Sequence, residues 1–169
     1  MKTKINDYQH KFCINLDKRT DRWETTKKEF HRVGITDVER ISAYDGSKIN
    51  DNTLEINKGI YALSLTTRDL LLRAIQKNYS EIVIFEDDIQ FVDNFKEKCE
   101  QYLSNIKNNY NDWSMLYFGV QNRIHPLDLG NNTFKLRGST AGHAMIIKSE
   151  MYDVILDRFE KEIKTKQND

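Results

Sequence analysis

Residues Glu81 to Asp88, EIVIFEDD, place three consecutive carboxylates directly after four apolar residues. Residues 82–85 are β-branched or aromatic without polar alternation, which is typical of a strand covered on both faces. In open α/β sheets, ligands bind beyond the carboxyl ends of the strands. The oxygen atoms of Glu86, Asp87 and Asp88 suit a divalent cation, and such a cation suits a diphosphate. The stretch therefore predicts a buried strand that ends at a metal-assisted nucleotide site.

Two simpler interpretations of the three carboxylates stay open at this point. Acidic residues after a strand often form a solvated loop, and they often lead into the cap of the next helix, for which Asp93 is a candidate. The choice between a metal site and such a loop depends on the rest of the chain.

The composition sets modest bounds on the function. A chain of 169 residues is expected to form one domain with a substantial core. It carries 26 Lys and Arg residues and 26 Asp and Glu residues, so its zero net charge predicts no nucleic-acid partner. Its apolar runs are short, which predicts neither a transmembrane segment nor a signal peptide. Cys13 and Cys99 lack metal-binding spacing and are expected to be reduced thiols in a cytoplasmic protein.

Strand-like and helix-like patterns alternate along the chain. Strands are predicted at residues 11–16, 37–43, 82–85, 113–118, 132–136 and 144–147. Helices are predicted from a cap at Thr20 or Asp21 to Gly34, and at residues 60–77, 95–106 and 151–163. This alternation predicts an α/β fold with a mostly parallel central sheet flanked by helices.

A second polar cluster, residues 15–22 (NLDKRTDR), follows the first predicted strand. If that strand is parallel to the carboxylate strand, the two clusters share one edge of the sheet. Arg19 and Arg22 are three residues apart, so a loop and a first helical turn can present both guanidinium groups to one phosphate. The alternative is local pairing of Asp with Arg in a solvated loop. After the next strand, the Tyr44 ring could stack on a base and the Asp45 carboxylate could bind ribose or uracil, or the two could form only a turn.

Five stretches of the chain, in this order and at this spacing, resemble the motifs of a known family. They are FCINLDKRTDRW (12–23), RISAYDG (40–46), GIYALSL (59–65), IVIFEDDI (82–89), and DWSMLYFG (112–119) with AGHAMII (141–147). The set resembles glycosyltransferase family 25, the lipopolysaccharide-type β-glycosyltransferases with a GT-A-like fold. The resemblance covers roughly residues 11–155.

This resemblance implies a single Rossmann-like, GT-A-like glycosyltransferase domain over residues 1–169. Such a domain is expected to move a sugar from a nucleotide sugar, usually a UDP-sugar, to a glycan, lipid-linked or protein hydroxyl acceptor, with inversion. A cytoplasmic location is expected, with a peripheral position at a membrane left open.

The resemblance also implies roles for individual residues. Asp88 is expected to bind Mn²⁺ or Mg²⁺ directly, and Glu86 to serve the metal, its water shell or the ribose. The residues expected to line the nucleotide-sugar site are Asn15, Arg19, Arg22, Ala43, Asp45, Ser64, Glu86 and Asp87. The cation would neutralise the departing diphosphate.

Two departures from the family pattern keep other functions open. The family's L-S-H is Leu63-Ser64-Leu65 here, and the chain is expected to lack the family's usual C-terminal acidic segment. For the general base that inversion requires, the sequence offers His143, which small residues flank. The alternatives are a catalytically inactive glycosyltransferase-like binding module and a carboxylate-metal phosphohydrolase or nucleotidyltransferase.

Overall fold

A computed structural model describes residues 4–50, 57–110, 112–130 and 133–165 of the chain as a mixed sheet flanked by helices. The strands are β1 (Lys11–Asn15), β2 (Val38–Ser42), β3 (Glu81–Glu86), β4 (Met115–Asn122), β5 (Leu127–Asp128), β6 (Phe134–Lys135) and β7 (Ser139–Lys148). The helices are α1 (Thr20–Val33), α2 (Lys58–Gln76), α3 (Phe95–Asn109) and α4 (Tyr152–Thr165). This arrangement confirms the predicted α/β class and is compatible with a Rossmann-like fold of the GT-A type.

The main sheet contains five strands in the order β2-β1-β3-β7-β4, and β5 pairs with β6 in a separate hairpin. β1 is parallel to both β2 and β3, whereas β7 is antiparallel to its neighbours β3 and β4. Because β7 is reversed against both neighbours, β4 runs in the same direction as β3. Four of the five strands thus share one direction, and the predicted mostly parallel sheet is confirmed.

β3 has a hydrophobic core on each of its faces. Val83 and Phe85 pack with α1 and α3 on one face, and Ile82 and Ile84 pack with α2 and α4 on the other. All four side chains are at most 2% exposed. Burial on both faces explains why polar residues do not alternate along the strand, and charge begins only at Glu86, where the strand leaves the core.

The first and third helices differ from the sequence-based expectation at their beginnings. Thr20 and Asp21 lie inside α1. The residue at the N-cap position is Arg19, and its side chain makes no capping hydrogen bond to the first turn. Asp21 cannot act as the predicted cap because its carboxylate is bound to the Arg19 guanidinium. α3 follows Asn94, which has a φ of 61°, and not Asp93. The predicted end of α1 at Gly34 is confirmed by its left-handed φ of 72°.

The strands of the C-terminal part of the chain differ in length from the apolar patterns that predicted them: β4 and β7 are longer, and β6 is shorter. The pattern at 144–147 marks only the part of β7 that reaches the core, and the pattern at 113–118 begins two residues before β4 and covers only its first half. The added residues of both strands pair largely away from the core. The predicted strand at 132–136 reduces to β6, and Asn132 lies outside the described residues. β5 was not predicted, because its exposed residues carry no apolar periodicity.

None of the described helices is long and apolar enough to cross a membrane. Cys13 and Cys99 are both free and buried. Burial raises the pKa of each thiol to about 12, so both stay protonated and unreactive at neutral pH.

We expect that Tyr152→Phe will leave the free energy of unfolding unchanged or raise it by up to about 1 kcal/mol. Tyr152 is 1% exposed, and its hydroxyl has no hydrogen-bond partner among the described residues. The matched control is Tyr110→Phe, because the Tyr110 hydroxyl donates to the Leu129 carbonyl oxygen at 2.8 Å. Urea unfolding should show a loss of about 1 kcal/mol for this control. An equal loss for both variants would contradict the assignment of Tyr152.

Candidate functional site

The carboxyl ends of β1, β2 and β3 meet at one edge of the sheet because the three strands are parallel. The register places Ile14 beside Glu86 on one side and Asn15 beside Ser42 on the other. α1 and α2 begin at the same edge, since each follows a strand that ends there. The two polar clusters of the sequence are therefore brought together.

Asp87, the middle carboxylate, points into the protein. Its Oδ2 accepts a hydrogen bond from Asn15 Nδ2 at 2.6 Å, and its Oδ1 accepts one from Arg22 at 3.0 Å. The carbonyl oxygen of Asp87 accepts a third bond, from the Thr26 hydroxyl at 2.7 Å. Both carboxylate oxygens of Asp87 thus accept hydrogen bonds from protein groups, whereas the oxygens of Asp88 have, among the described residues, only longer contacts of 3.6 Å, with Arg22 and His143.

Glu86 and Asp88 form a small cluster with His143 from β7. His143 Nδ1 lies 3.1 Å from Glu86 Oε2 and 3.6 Å from Asp88 Oδ1. One ligand atom from each residue lies within 4.8 Å of the others, and Asp88 and His143 are exposed. Two carboxylates and an imidazole at this separation are able to hold a divalent cation.

The register of β7 explains how His143 reaches the carboxylates. Phe85 pairs with Ala144 in the antiparallel β3–β7 ladder, so the next residues outward are Glu86 and His143. The β4–β7 ladder is irregular at this level, with register shifts on both sides of Gly119. Such bulges re-aim side chains near functional sites.

Gly142, directly before His143, is required by close packing. A Cβ at Gly142 would lie 2.8 Å from the Tyr117 ring, closer than real Cβ contacts allow. Any larger residue would therefore shift Tyr117 or the strand that carries His143. This is the structural basis for Gly142, one of the two small residues that flank His143 in the sequence.

The electrostatics of the site favour a bound cation. Burial raises the pKa of the Glu86 carboxyl, the hydrogen bond with His143 opposes that shift, and the charges of Asp88 and Asp87 add to it. Among the described residues, Arg22 is the only arginine that forms ion pairs with the three carboxylates. Its Nη1 lies 3.0 Å from Asp87 Oδ1 and 3.6 Å from Asp88 Oδ2. Three carboxylates therefore share little positive charge.

Arg19, the other arginine predicted to bind a phosphate, is paired with a neighbouring residue. Arg19 binds Asp21 with two hydrogen bonds of 2.9 and 2.7 Å, which is the local pairing weighed as the alternative. Lys18 forms an ion pair with Asp45 at 2.7 Å. Bonds from Lys18 and Ser47 lower the pKa of Asp45 to about 2, so it stays ionised.

A cavity of about 390 Å³ lies beside the end of β2. Its lining consists of Ile41, Ser42, Ala43, Tyr44, Thr66, Asp69, Leu70 and Arg73. The Tyr44 hydroxyl donates to Asp69 at 2.8 Å, and the Ala43 amide donates to the Asn15 carbonyl at 3.0 Å. The sequence singled out Ala43 and Tyr44, but it gave no sign of Thr66 or Asp69 from α2.

Ser64 lies near the beginning of α2 and is half-buried. This end of α2 approaches the turn at Gly46–Lys48, where a Cβ on Gly46 would lie 2.7 Å from the Lys58 carbonyl oxygen. The glycine of the Asp45-Gly46 turn is therefore needed for close approach of α2 to the end of β2.

Sequence reasoning missed two residues that support the carboxylates. Thr26 lies four residues after Arg22, so both project from one face of α1 toward Asp87. Arg40 donates from Nε to Asn15 Oδ1 at 2.7 Å. Arg40 begins the RISAYDG stretch, which is the one signal in the sequence that could have indicated it.

Known proteins resemble the part of the chain that carries these carboxylates. A sequence model described as "Glycosyltransferase family 25 (LPS biosynthesis protein)" matches residues 68–134. This segment contains β3, the three carboxylates that end it, and β4.

Curated relatives align over a longer stretch. A "Glycosyltransferase 25 family member" of Anopheles gambiae is 26% identical over 128 residues, covering 65% of this chain and 21% of the relative. "Procollagen galactosyltransferase 2" of Homo sapiens is 24% identical over 126 residues, covering 64% and 20%. A "Probable inactive glycosyltransferase 25 family member 3" of Bos taurus is 23% identical over 133 residues, covering 68% and 22%.

The chain spans about a fifth of the length of these relatives. The segment that the family model matches nevertheless includes the strand and the acidic tip on which the candidate site is built. The motifs, the fold and these matches support the resemblance of this chain to glycosyltransferase family 25.

Proposed function

We propose that this chain is the donor-binding part of a metal-dependent glycosyltransferase. The proposed donor is a nucleotide sugar, and a UDP-sugar is the first one to test. The observation that carries this proposal is the cluster of Glu86, Asp88 and His143 at the edge where β3 leaves the core. Similarity to glycosyltransferase family 25 supports sugar transfer as the reaction, and the edge of the sheet is where α/β folds bind ligands.

The three side chains fit a divalent cation. They offer two carboxylate oxygens and one imidazole nitrogen, with Glu86 half-buried and Asp88 and His143 exposed. This set suits Mn²⁺ better than Mg²⁺, which binds through oxygen. A bound cation would supply positive charge for the departing diphosphate. Asp87 is expected to stay out of this set, since both of its oxygens bind protein groups.

The remaining wall of the edge suits the nucleotide. α1 begins beside the carboxylates, and helix N-termini favour phosphate groups. Tyr44 is 47% exposed at the end of β2, where its ring is available for a base to stack on. Ala43 and Asp45 flank it, and Ser64 lies on the helix that approaches the same turn. These contacts are expectations for the donor complex.

His143 has two candidate roles, as a metal ligand and as the general base. The geometry favours the ligand role because its Nδ1 lies against Glu86 and Asp88. If His143 binds the cation, another group must accept the proton of the acceptor hydroxyl during inversion. We therefore leave the base unassigned.

The acceptor is proposed as a glycan, lipid-linked or protein hydroxyl, and the location as cytoplasmic. One relative is by name a procollagen galactosyltransferase, so galactose is the first sugar to test and a protein hydroxyl the first acceptor. A catalytically inactive binding module is the second candidate, because another relative is named as inactive and Leu65 stands where the family pattern has His. A phosphohydrolase has less support, since no other metal-capable cluster occurs in the described part of the chain.

We expect Asp88→Asn and His143→Gln each to weaken Mn²⁺ binding by at least about tenfold, or 1.4 kcal/mol. Each substitution removes one of the three ligand atoms in the cluster. Titration followed by the paramagnetic resonance of free Mn²⁺ would measure the affinity.

The matched control is Asp93→Asn, which removes one negative charge from a fully exposed side chain outside the cluster. Its affinity should equal that of the unaltered protein. Unchanged affinity in His143→Gln, together with lost sugar transfer, would instead assign His143 as the base.

We also expect Mn²⁺-dependent hydrolysis or transfer of UDP-galactose, abolished by EDTA and restored by added Mn²⁺. Release of UDP would be measured with and without acceptor, using GDP- and CDP-sugars as donor controls. Binding of UDP and Mn²⁺ without turnover of any UDP-sugar would favour the inactive module. Absence of both binding and turnover would contradict the proposed function.

A further inference from the structure

Asn15 is one of the most buried polar residues of the described chain, with an exposed fraction of 1%. The hydrogen bonds of its side-chain amide are all made to other groups of the protein. Asn15 Oδ1 accepts from Arg40 Nε at 2.7 Å, and Nδ2 donates to Asp87 Oδ2 at 2.6 Å and to the Arg19 carbonyl at 3.1 Å. A side chain enclosed in this way does not reach a nucleotide, so its contribution must pass through its neighbours.

Arg40 determines which way the Asn15 amide faces. A guanidinium only donates, so the Asn15 oxygen must point toward Arg40 and its NH₂ group toward Asp87. Arg40 is itself fixed by a 2.7 Å bond to Asp17, which accepts a further bond from Ser42 at 2.7 Å. The amide orientation is therefore set by contacts on the side away from the carboxylates.

Asp87 transmits this orientation to the two outward carboxylates. It lies between Glu86 and Asp88 in the chain, and its side chain and carbonyl are held by Asn15, Arg22 and Thr26. Fixing both the side chain and the peptide of Asp87 fixes the direction in which the residues on either side project. Metal ligands commonly depend on such supporting bonds.

We propose that Asn15 is a positioning residue that holds Asp87 inward so that Glu86 and Asp88 face one cation together with His143. Through the Arg19 carbonyl, the same amide connects the acidic tip to the loop that begins α1. The cation-binding and phosphate-facing parts of the edge are thereby held as one unit. This inference rests on the proposed function, since it concerns the same metal site.

The substitution Asn15→Asp tests whether Asn15 affects cation binding by positioning Asp87 or only through the charge near the site. It places a second carboxylate 2.6 Å from Asp87, so the two repel and the acidic tip is displaced. Coulomb attraction alone predicts the opposite result, because an added negative charge near the site should tighten cation binding. The direction of the change in Mn²⁺ affinity therefore distinguishes the two accounts.

The double variant Asn15→Asp/Asp87→Asn supplies the rescue. It exchanges the two groups, so position 15 still accepts from Arg40, position 87 still accepts from Arg22, and position 87 now donates to position 15. Of the Asn15 side-chain bonds, the double variant loses only the 3.1 Å bond to the Arg19 carbonyl oxygen. It also restores the original net charge. Electrostatics alone predicts that the double variant binds Mn²⁺ more weakly than Asn15→Asp, whereas positioning predicts that it binds more tightly.

The experiment titrates the whole chain with Mn²⁺ alone at about pH 8, well above the ordinary pKa range of carboxyl groups. We expect Asn15→Asp to bind at least about tenfold more weakly than the unaltered protein, and the double variant to recover to within about threefold. Leu103→Ala, a core substitution on α3, controls for loss of stability and should leave the affinity unchanged.

If Asn15→Asp does not fold, Arg40→Met carries the same test. Removing this positive charge should tighten Mn²⁺ binding by charge alone, and it should weaken binding if Arg40 orients the amide. Equal or tighter binding in Asn15→Asp or Arg40→Met would overturn the positioning role and leave the proposed function intact. Absence of Mn²⁺ binding by the unaltered protein would overturn both.

Discussion

Burial of β3 on both faces is the constraint on which the candidate site depends. With Val83 and Phe85 in one core and Ile82 and Ile84 in the other, the strand has no place for charge along its length. Its carboxylates must then appear together where it ends, at the edge that the parallel strands β1 and β2 share. Each further part of the site is attached to that edge.

Three adjacent carboxylates repel one another, and the fold limits this repulsion by giving them different surroundings. Asp87 turns inward to Asn15 and Arg22, whereas Glu86 and Asp88 remain outside beside His143. Burial raises the pKa of Glu86, and that unfavourable environment for its charge is what a cation would relieve. A site prepared in this way would need little rearrangement to bind the cation and the diphosphate that we propose.

Sequence patterns predicted the strands and helices that bury apolar residues. They missed the contacts and strand ends that depend on how the strands pair. The unbroken apolar run of residues 82–85 is typical of a covered strand, and the three carboxylates after it indicated where that strand leaves the core. The inward turn of Asp87 had no signal, because nothing in three consecutive acidic residues distinguishes the middle one. His143 was singled out for its small neighbours, but its place beside Glu86 depends on the antiparallel register of β7, which no local pattern encodes. The long ends of β4 and β7 were missed for the same reason, since they pair largely outside the core.

The most direct test of the account is to locate Mn²⁺ by anomalous scattering in crystals grown with Mn²⁺ and UDP. The account predicts one strong peak within coordination distance of Glu86 or Asp88 oxygens and of His143, with Asp87 still bonded to Asn15. A strong peak elsewhere, with this cluster free of metal, would contradict it. So would a cation bound through Asp87 with Asn15 released.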